Sequence, residues 1–256
     1  MAQGIPATHL AGLEAFSGKV FSGAQGDFTL DNYSYFDDTS LFSTAFFPIA
    51  SNAIAAGSTF NMFSVANGQR DTVLGRNLTT AETNLQGGMA GGKFPANQAY
   101  VALAGGFEVY LLSAGTAGAI GQVASQVPDA GLLHQIVSNI SWTWNVGGVA
   151  NPTILYEPIK LWPLGTGISG VSALDTQGFT AVPTAQSQPQ GLTNGSKSMM
   201  RKFAFPLFFP PQVAVNNTLT VGRTIATGGA ATACPSGTFV CVAFHLRGYM
   251  LSQIRG

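Results

Sequence analysis

The sequence predicts an all-β protein, an antiparallel eight-stranded sandwich preceded by an N-terminal arm. Three observations carry this expectation. After residue 40, apolar residues recur with a period of two in short segments, the pattern of strands that bury one face. Clusters of Gly, Pro, Ser and Asn separate those segments and read as turns. Helical spacing is confined to residues 8–20 and 114–127, so helices do not alternate with strands as a parallel α/β fold requires.

Residues 1–40 are expected to form the arm. They hold Glu14, Asp27, Asp31, Asp37 and Asp38 against one base, Lys19. Leu10, Leu13 and Phe16 follow Thr8 at the spacing of a short amphipathic helix, and the Gly and Ser residues within 17–18 and 22–26 read as irregular chain. The domain proper spans 41–256. Its first strands, 41–49 and 58–66, are short aromatic runs. In 99–112, Val101, Leu103, Phe107, Val109 and Leu111 fall on one face, with Glu108 and Tyr110 on the other.

In 133–147, Ile136, Ile140, Trp142, Trp144 and Val146 alternate with Gln135, Asn139, Ser141, Thr143 and Asn145. The opposite register would bury the polar set without partners, so both tryptophans are expected in the core. An exposed aromatic platform for sugar or lipid is the alternative. The fifth strand, 153–162, is interrupted by Pro158, which places it at an edge or a bulge. A long loop rich in Gly, Ser, Thr, Gln and Pro covers 163–200. The last strands are 201–209, 213–222 and 238–252. The final one turns Val240, Val242, Phe244, Leu246 and Met250 inward and His245, Arg247 and Tyr249 outward.

Composition limits the function. Charged residues make up 9% of the 256 residues, against roughly 25% in an average soluble protein. The 46% apolar content and 18 Phe exclude a disordered chain. A net charge of zero argues against a nucleic-acid binder working by phosphate neutralisation. A 26.5 kDa monomer would expose about 10,700 Å², and 11 basic and 11 acidic side chains are few to solvate it. Such a surface favours association. The charges are also split: residues 1–129 carry nine acids and four bases, and residues 130–256 two acids and seven bases. That division suits head-to-tail contacts between copies, or neutralisation within one sandwich.

The N-terminal residues show no secretory signal, and no run of about 18 apolar residues predicts a membrane helix. The Asn-x-Ser/Thr triplets at Asn32, Asn77, Asn139, Asn194 and Asn216 are then products of composition. Cys234 and Cys241 bracket a Pro-Ser-Gly turn signal; they are expected as reduced thiols, a small closed loop being the alternative.

Chemical motifs are weak. Gly87–Lys93 matches the start of a phosphate loop, but Phe94 stands where Ser or Thr should hold magnesium and a strand follows instead of a helix. His9, His134 and His245 have no metal-ligand spacing, although Cys241 and His245 share a strand face. Asp37 and Asp38 are adjacent, hence on opposite faces of an extended chain, and make no dyad. No enzyme, no cofactor and no metal is expected.

Three local features resemble capsid proteins of tailless icosahedral viruses of bacteria and archaea. They are Ala81–Leu85 followed by Lys93–Ala99, the run Phe205–Pro211, and Phe244–Tyr249. Together with the strand order, the resemblance covers residues 40–255. It implies a single eight-stranded jelly roll, or a compact double jelly roll of sixteen strands, and a major capsid protein that self-assembles into an icosahedral shell. Its implied partners are copies of itself in trimers or higher capsomers, other virion proteins and an internal viral membrane, without specific nucleic-acid recognition. The implied location is the virion, with synthesis in the host cytoplasm. Lys197, Arg201, Lys202 and Arg247 are then candidates for subunit contacts or for facing genome or membrane. The rival functions are a receptor-binding spike or lectin-like module and a membrane β-barrel.

Overall fold

Aromatic and β-branched side chains, which suit a pleated, half-buried surface, fill the segments that pair. The computed structural model describes residues 14, 17–23, 26–29, 31, 33–85, 93–112, 130–146, 155–162, 168–169, 192–193, 200–213, 215–227 and 239–253. In chain order the elements begin with β1 (Val20–Gly23), β2 (Gly26–Thr29), β3 (Tyr33–Pro48), β4 (Ala53–Ile54), β5 (Thr59–Met62) and β6 (Gln98–Leu112). Helix α1 (Ala130–Asn139), β7 (Ile140–Val146), β8 (Leu155–Pro158) and a 3-10 turn (Ile159–Leu161) follow. The chain continues with β9 (Ile168–Ser169), β10 (Leu192–Thr193), β11 (Arg201–Phe209), β12 (Val215–Val221), β13 (Ile225–Ala226) and β14 (Phe239–Gln253).

Two four-stranded antiparallel sheets dominate. The first has the order β11-β6-β14-β3 and the second β5-β12-β7-β8. Along the chain their pairing is nested: β3 meets β14, β5 meets β12, β6 meets β11, and β7 meets β8. Of the links between successive strands of the two sheets, only β7 to β8 stays within one sheet. The fold is therefore an all-β sandwich.

The inner faces share one aromatic core. Trp142 lies 4.7 Å from Phe244 and 5.0 Å from Phe107, both on the first sheet. Trp144 stacks on Phe209 at 5.3 Å. Both indoles are fully buried, as the alternation requires. Trp142 Nε1 donates to Asn217 Oδ1 at 2.7 Å, which gives a partner to the oxygen of a polar side chain that β12 turns into the core, while Asn217 Nδ2 is buried without one.

Several boundaries differ from the expectation. The strand expected from 41 begins at Tyr33, and Tyr33–Ser40 pairs with Gln253–Arg247 of β14. Residues 33–40 thus belong to a sheet rather than an arm. The acids at 37 and 38 had suggested otherwise, yet β3 is an edge strand, where charges are tolerated and protective. Ser17 and Gly18 are turn and Val20 opens β1; residues 8–13 of the expected helix lie outside the described residues, as do 114–127. Residues 133–139 are helical, not extended. The four-residue step from Ile136 to Ile140 satisfies a period of two as well as one of 3.6, so alternation alone could not separate them.

Strand 58–66 shortens to β5, and 153–162 to β8 ending at Pro158 on the sheet edge. Within the expected loop 163–200, β9 pairs with β10, and Met200 is buried. The remaining positions from 163 to 199 lie outside the described residues.

The inward face of β6 also needs correction. Arg247 pairs with Ala104 but Gly248 pairs with Ala102, which leaves Leu103 as a bulge. One extra residue reverses the alternation. Tyr100 and Ala102 face the core before the bulge and Phe107 after it, while Val101 and Leu103 stand outside that cluster. Gly248 is required there: a Cβ would lie 1.8 Å from the Val101 carbonyl oxygen.

Candidate functional site

The candidate residues fall on the outer side and the rims of the first sheet. Lys202 of β11, Ala104 of β6, Arg247 of β14 and Ser40 of β3 form one row across it. Directly opposed residues share a face, so Lys202 and Arg247 stand together on the side away from the core. Lys202 is exposed and Arg247 half-buried. Lys197 lies outside the described residues.

Arg201 belongs to a different cluster. Its guanidinium lies 4.3 Å above the Trp162 ring and its Nη1 donates to Glu157 Oε2 at 3.0 Å. Trp162 Nε1 donates to the same oxygen at 2.5 Å. β11 and β8 are rim strands of opposite sheets, so this group closes one open side of the sandwich. On the other side the Phe47 and Phe60 rings meet edge to face at 4.4 Å.

Further along the outer face, His245 stacks on Phe42 with centroids 5.2 Å apart. Its Nε2 lies 3.3 Å from Glu108 Oε2, an ion-pairing distance when the imidazole is protonated. Beyond it Cys241 and Phe46 pack under Leu74 and Leu78, so the segment 63–85 covers this end of the sheet. Asn84 fastens it: Phe42 N–H donates to Asn84 Oδ1 at 2.8 Å, and Asn84 Nδ2 donates to the Ser40 carbonyl. Ser43 Oγ accepts from Phe63 N–H at 2.9 Å.

The segment is internally clamped by Arg76, whose two terminal nitrogens donate to the buried Glu82 carboxylate. Thr79 N–H and Oγ1 donate to Glu82 Oε2 at 2.9 and 3.0 Å. Burial pushes the Glu82 carboxyl up, but the bonds from Arg76 and Thr79 outweigh it and hold the group below the usual carboxylate range. The hydrogen bond with Glu82 in turn holds Arg76 above its ordinary value against the cost of burial.

The outer face of the second sheet is chemically different. Thr59 and Asn61 of β5, Thr218 and Thr220 of β12, and Ser141 and Thr143 of β7 lie in register across it. Thr218 Oγ1 donates to Asn61 Oδ1 at 2.9 Å, and Ser141 Oγ to the Thr220 carbonyl at 3.3 Å.

The described titratable groups named here are thus engaged mainly in structural pairs. Among the described residues no three His, Cys, Asp or Glu side chains converge on a possible metal position, and no helix is long and apolar enough to cross a membrane. Cys241 is buried; Cys234, His9 and residues 86–92 of the glycine-rich motif lie outside the described residues. His134 falls in α1, and Asp37 and Asp38 pair with Met250 and Tyr249.

Three groups escaped the sequence reading. Glu82 had a signal, since Thr79-Thr80-Ala81-Glu82 is the spacing of a capping box. Asn217 had one too, because it shares the parity of Val213, Val215, Leu219 and Val221. The meeting of Glu157, Trp162 and Arg201 had none, being a product of the tertiary fold. No protein-family model, curated protein or solved structure matches the chain.

Proposed function

We propose that the chain is a structural subunit of a virus shell, a single jelly roll whose work is self-association and not catalysis. The observation that carries this reading is the nested pairing of β3 with β14, β5 with β12, β6 with β11 and β7 with β8, split between two sheets. Such nesting is what a rolled hairpin of the jelly-roll kind would produce, and it supports that reading; the architecture recurs in capsid and lectin proteins. Fold alone does not decide between them, and two further features favour the shell. Eleven acids and eleven bases in 256 residues leave a surface suited to permanent contacts, whose cores are poor in charge. The three tryptophans are all buried, which removes the aromatic platform that a sugar-binding module would want.

Sedimentation velocity and negative-stain microscopy of the purified chain test the proposal. Closed particles or discrete capsomers are expected across salt and pH conditions. A 26.5 kDa species that remains monomeric at millimolar concentration would overturn it.

A further inference from the structure

A sheet edge is a template for another strand, and proteins normally guard it. β3 is the edge strand of the first sheet, and its segment 39–47 holds no charge, no Pro and no Gly while carrying Phe42, Phe46 and Phe47. That is the composition of segments that stack into intermolecular sheets. Asp37 and Asp38 precede the segment and Pro48 closes it, residues of the kind that interrupt such runs at their ends. They leave the middle open to attack.

The middle is occupied by the end of the roof. Phe42 N–H donates to Asn84 Oδ1 at 2.8 Å, and Asn84 Nδ2 donates to the Ser40 carbonyl. One carboxamide thus accepts from and donates to the same edge, as the peptide groups of a neighbouring strand would. The contact continues through the backbone and Thr83. Asn84 N–H donates to the Phe42 carbonyl at 3.3 Å, and Thr83 Oγ1 donates to the same oxygen at 3.2 Å. Thr83 bridges Ser43 and is fully buried. With positions 40–43 taken, an incoming strand meets no run longer than residues 44–47. The pair is also held from both sides in sequence: Glu82 is fixed by Arg76 and Thr79, and Leu85 N–H donates to Thr83 Oγ1 at 3.2 Å.

We infer that Thr83-Asn84 is an autoinhibitory strap, which closes the β3 edge against the same edge of a second copy of this chain. Two such edges are self-complementary when antiparallel, the contact of a two-fold pair, and no charge in segment 39–47 opposes it. The strap confines association to other surfaces. The inference goes beyond the shell reading and holds without it.

Two substitutions at one position test this. Asn84→Ala removes both carboxamide bonds. Asn84→Asp keeps an acceptor for Phe42 N–H, loses the donor to Ser40 and leaves on the edge a charge that itself repels another strand. Two hydrogen bonds of ordinary net strength amount to about a thirtyfold shift toward the open edge. N84A should therefore form intermolecular sheet about thirtyfold faster than the original chain, followed by the amide I infrared band at temperatures where circular dichroism shows both folded. N84D should not be accelerated. If N84A behaves like the original chain, or if N84D is accelerated as much as N84A, the strap is wrong; the second outcome assigns the effect to a loosened roof. Should N84A fail to fold, Thr83→Val, which removes the hydroxyl bond to Phe42, takes its place with a smaller acceleration expected and the same overturning result. Regular particles add no intermolecular sheet, so the shell reading stands or falls separately from this band.

Discussion

The two sheets share one core and differ on the sides turned away from it. The outer face of the first sheet carries Glu108, His245, Arg247 and Lys202, and one end is roofed by the chain's own segment 63–85. The outer face of the second carries Thr59, Asn61, Ser141, Thr143, Thr218 and Thr220, all exposed or half-buried. One outer face is therefore a second packing layer, where Cys241 and Phe46 are as buried as core residues. The other is held by short cross-strand bonds that water could replace. Substitutions should be costly in the shared core, intermediate under the roof, and nearly silent on the second sheet's outer face.

Four measurements grade that contrast, each a denaturant midpoint at fixed protein concentration so that association does not move it. Trp142→Ala should cost most, about 3–5 kcal/mol, because it opens a cavity among Phe107, Phe244 and Trp162 and strands Asn217. A loss below about 1 kcal/mol would mean that the sheets do not share this core. Gly248→Ala should follow at about 3 kcal/mol, since its methyl group would overlap the Val101 carbonyl unless the bulge rearranges.

Glu82→Gln should cost about 2 kcal/mol at neutral pH by uncoupling the roof from Arg76. It should also change the acid limb. Because the native Glu82 pKa is lowered, its contribution is complete above the ordinary Glu value of about 4.3 and is lost as pH falls through the lower native value. The original chain should lose stability faster than the variant over that interval; parallel curves would show that the clamp does not form. Thr143→Val should change stability by no more than about 0.5 kcal/mol, and a larger effect would show that this face is packed against something.

The same contrast governs how far the fold was legible. In β7 and β12, where polar residues face outward and, Asn217 apart, aromatic or aliphatic ones inward, alternation gave the inward residues Trp142, Trp144, Leu219 and Val221 correctly. In β6 it failed at Leu103, because a bulge leaves no trace in composition. It failed before residue 41 because two acids on a rim look like an arm. The outward side of β14 could be named, but not that the segment 63–85 would bury part of it. Of the four basic candidates, Lys202 and Arg247 do meet on one face, whereas Arg201 is turned to Glu157 and Trp162 by contacts between distant strands.

The nested pairing also sets a schedule for the growing chain. β14 lies between β6 and β3, so both wait for a strand that begins at Phe239. Until the ribosome has released that segment, the first sheet lacks its central member, and Tyr33–Thr39 has no inner neighbour to hold it straight. Contacts of such long sequence separation form slowly. Until then β6 and β3 each lack the neighbour that separates them in the finished sheet. A product that stops before Phe239 lacks the strand on which both β6 and β3 pair, and so cannot complete the first sheet.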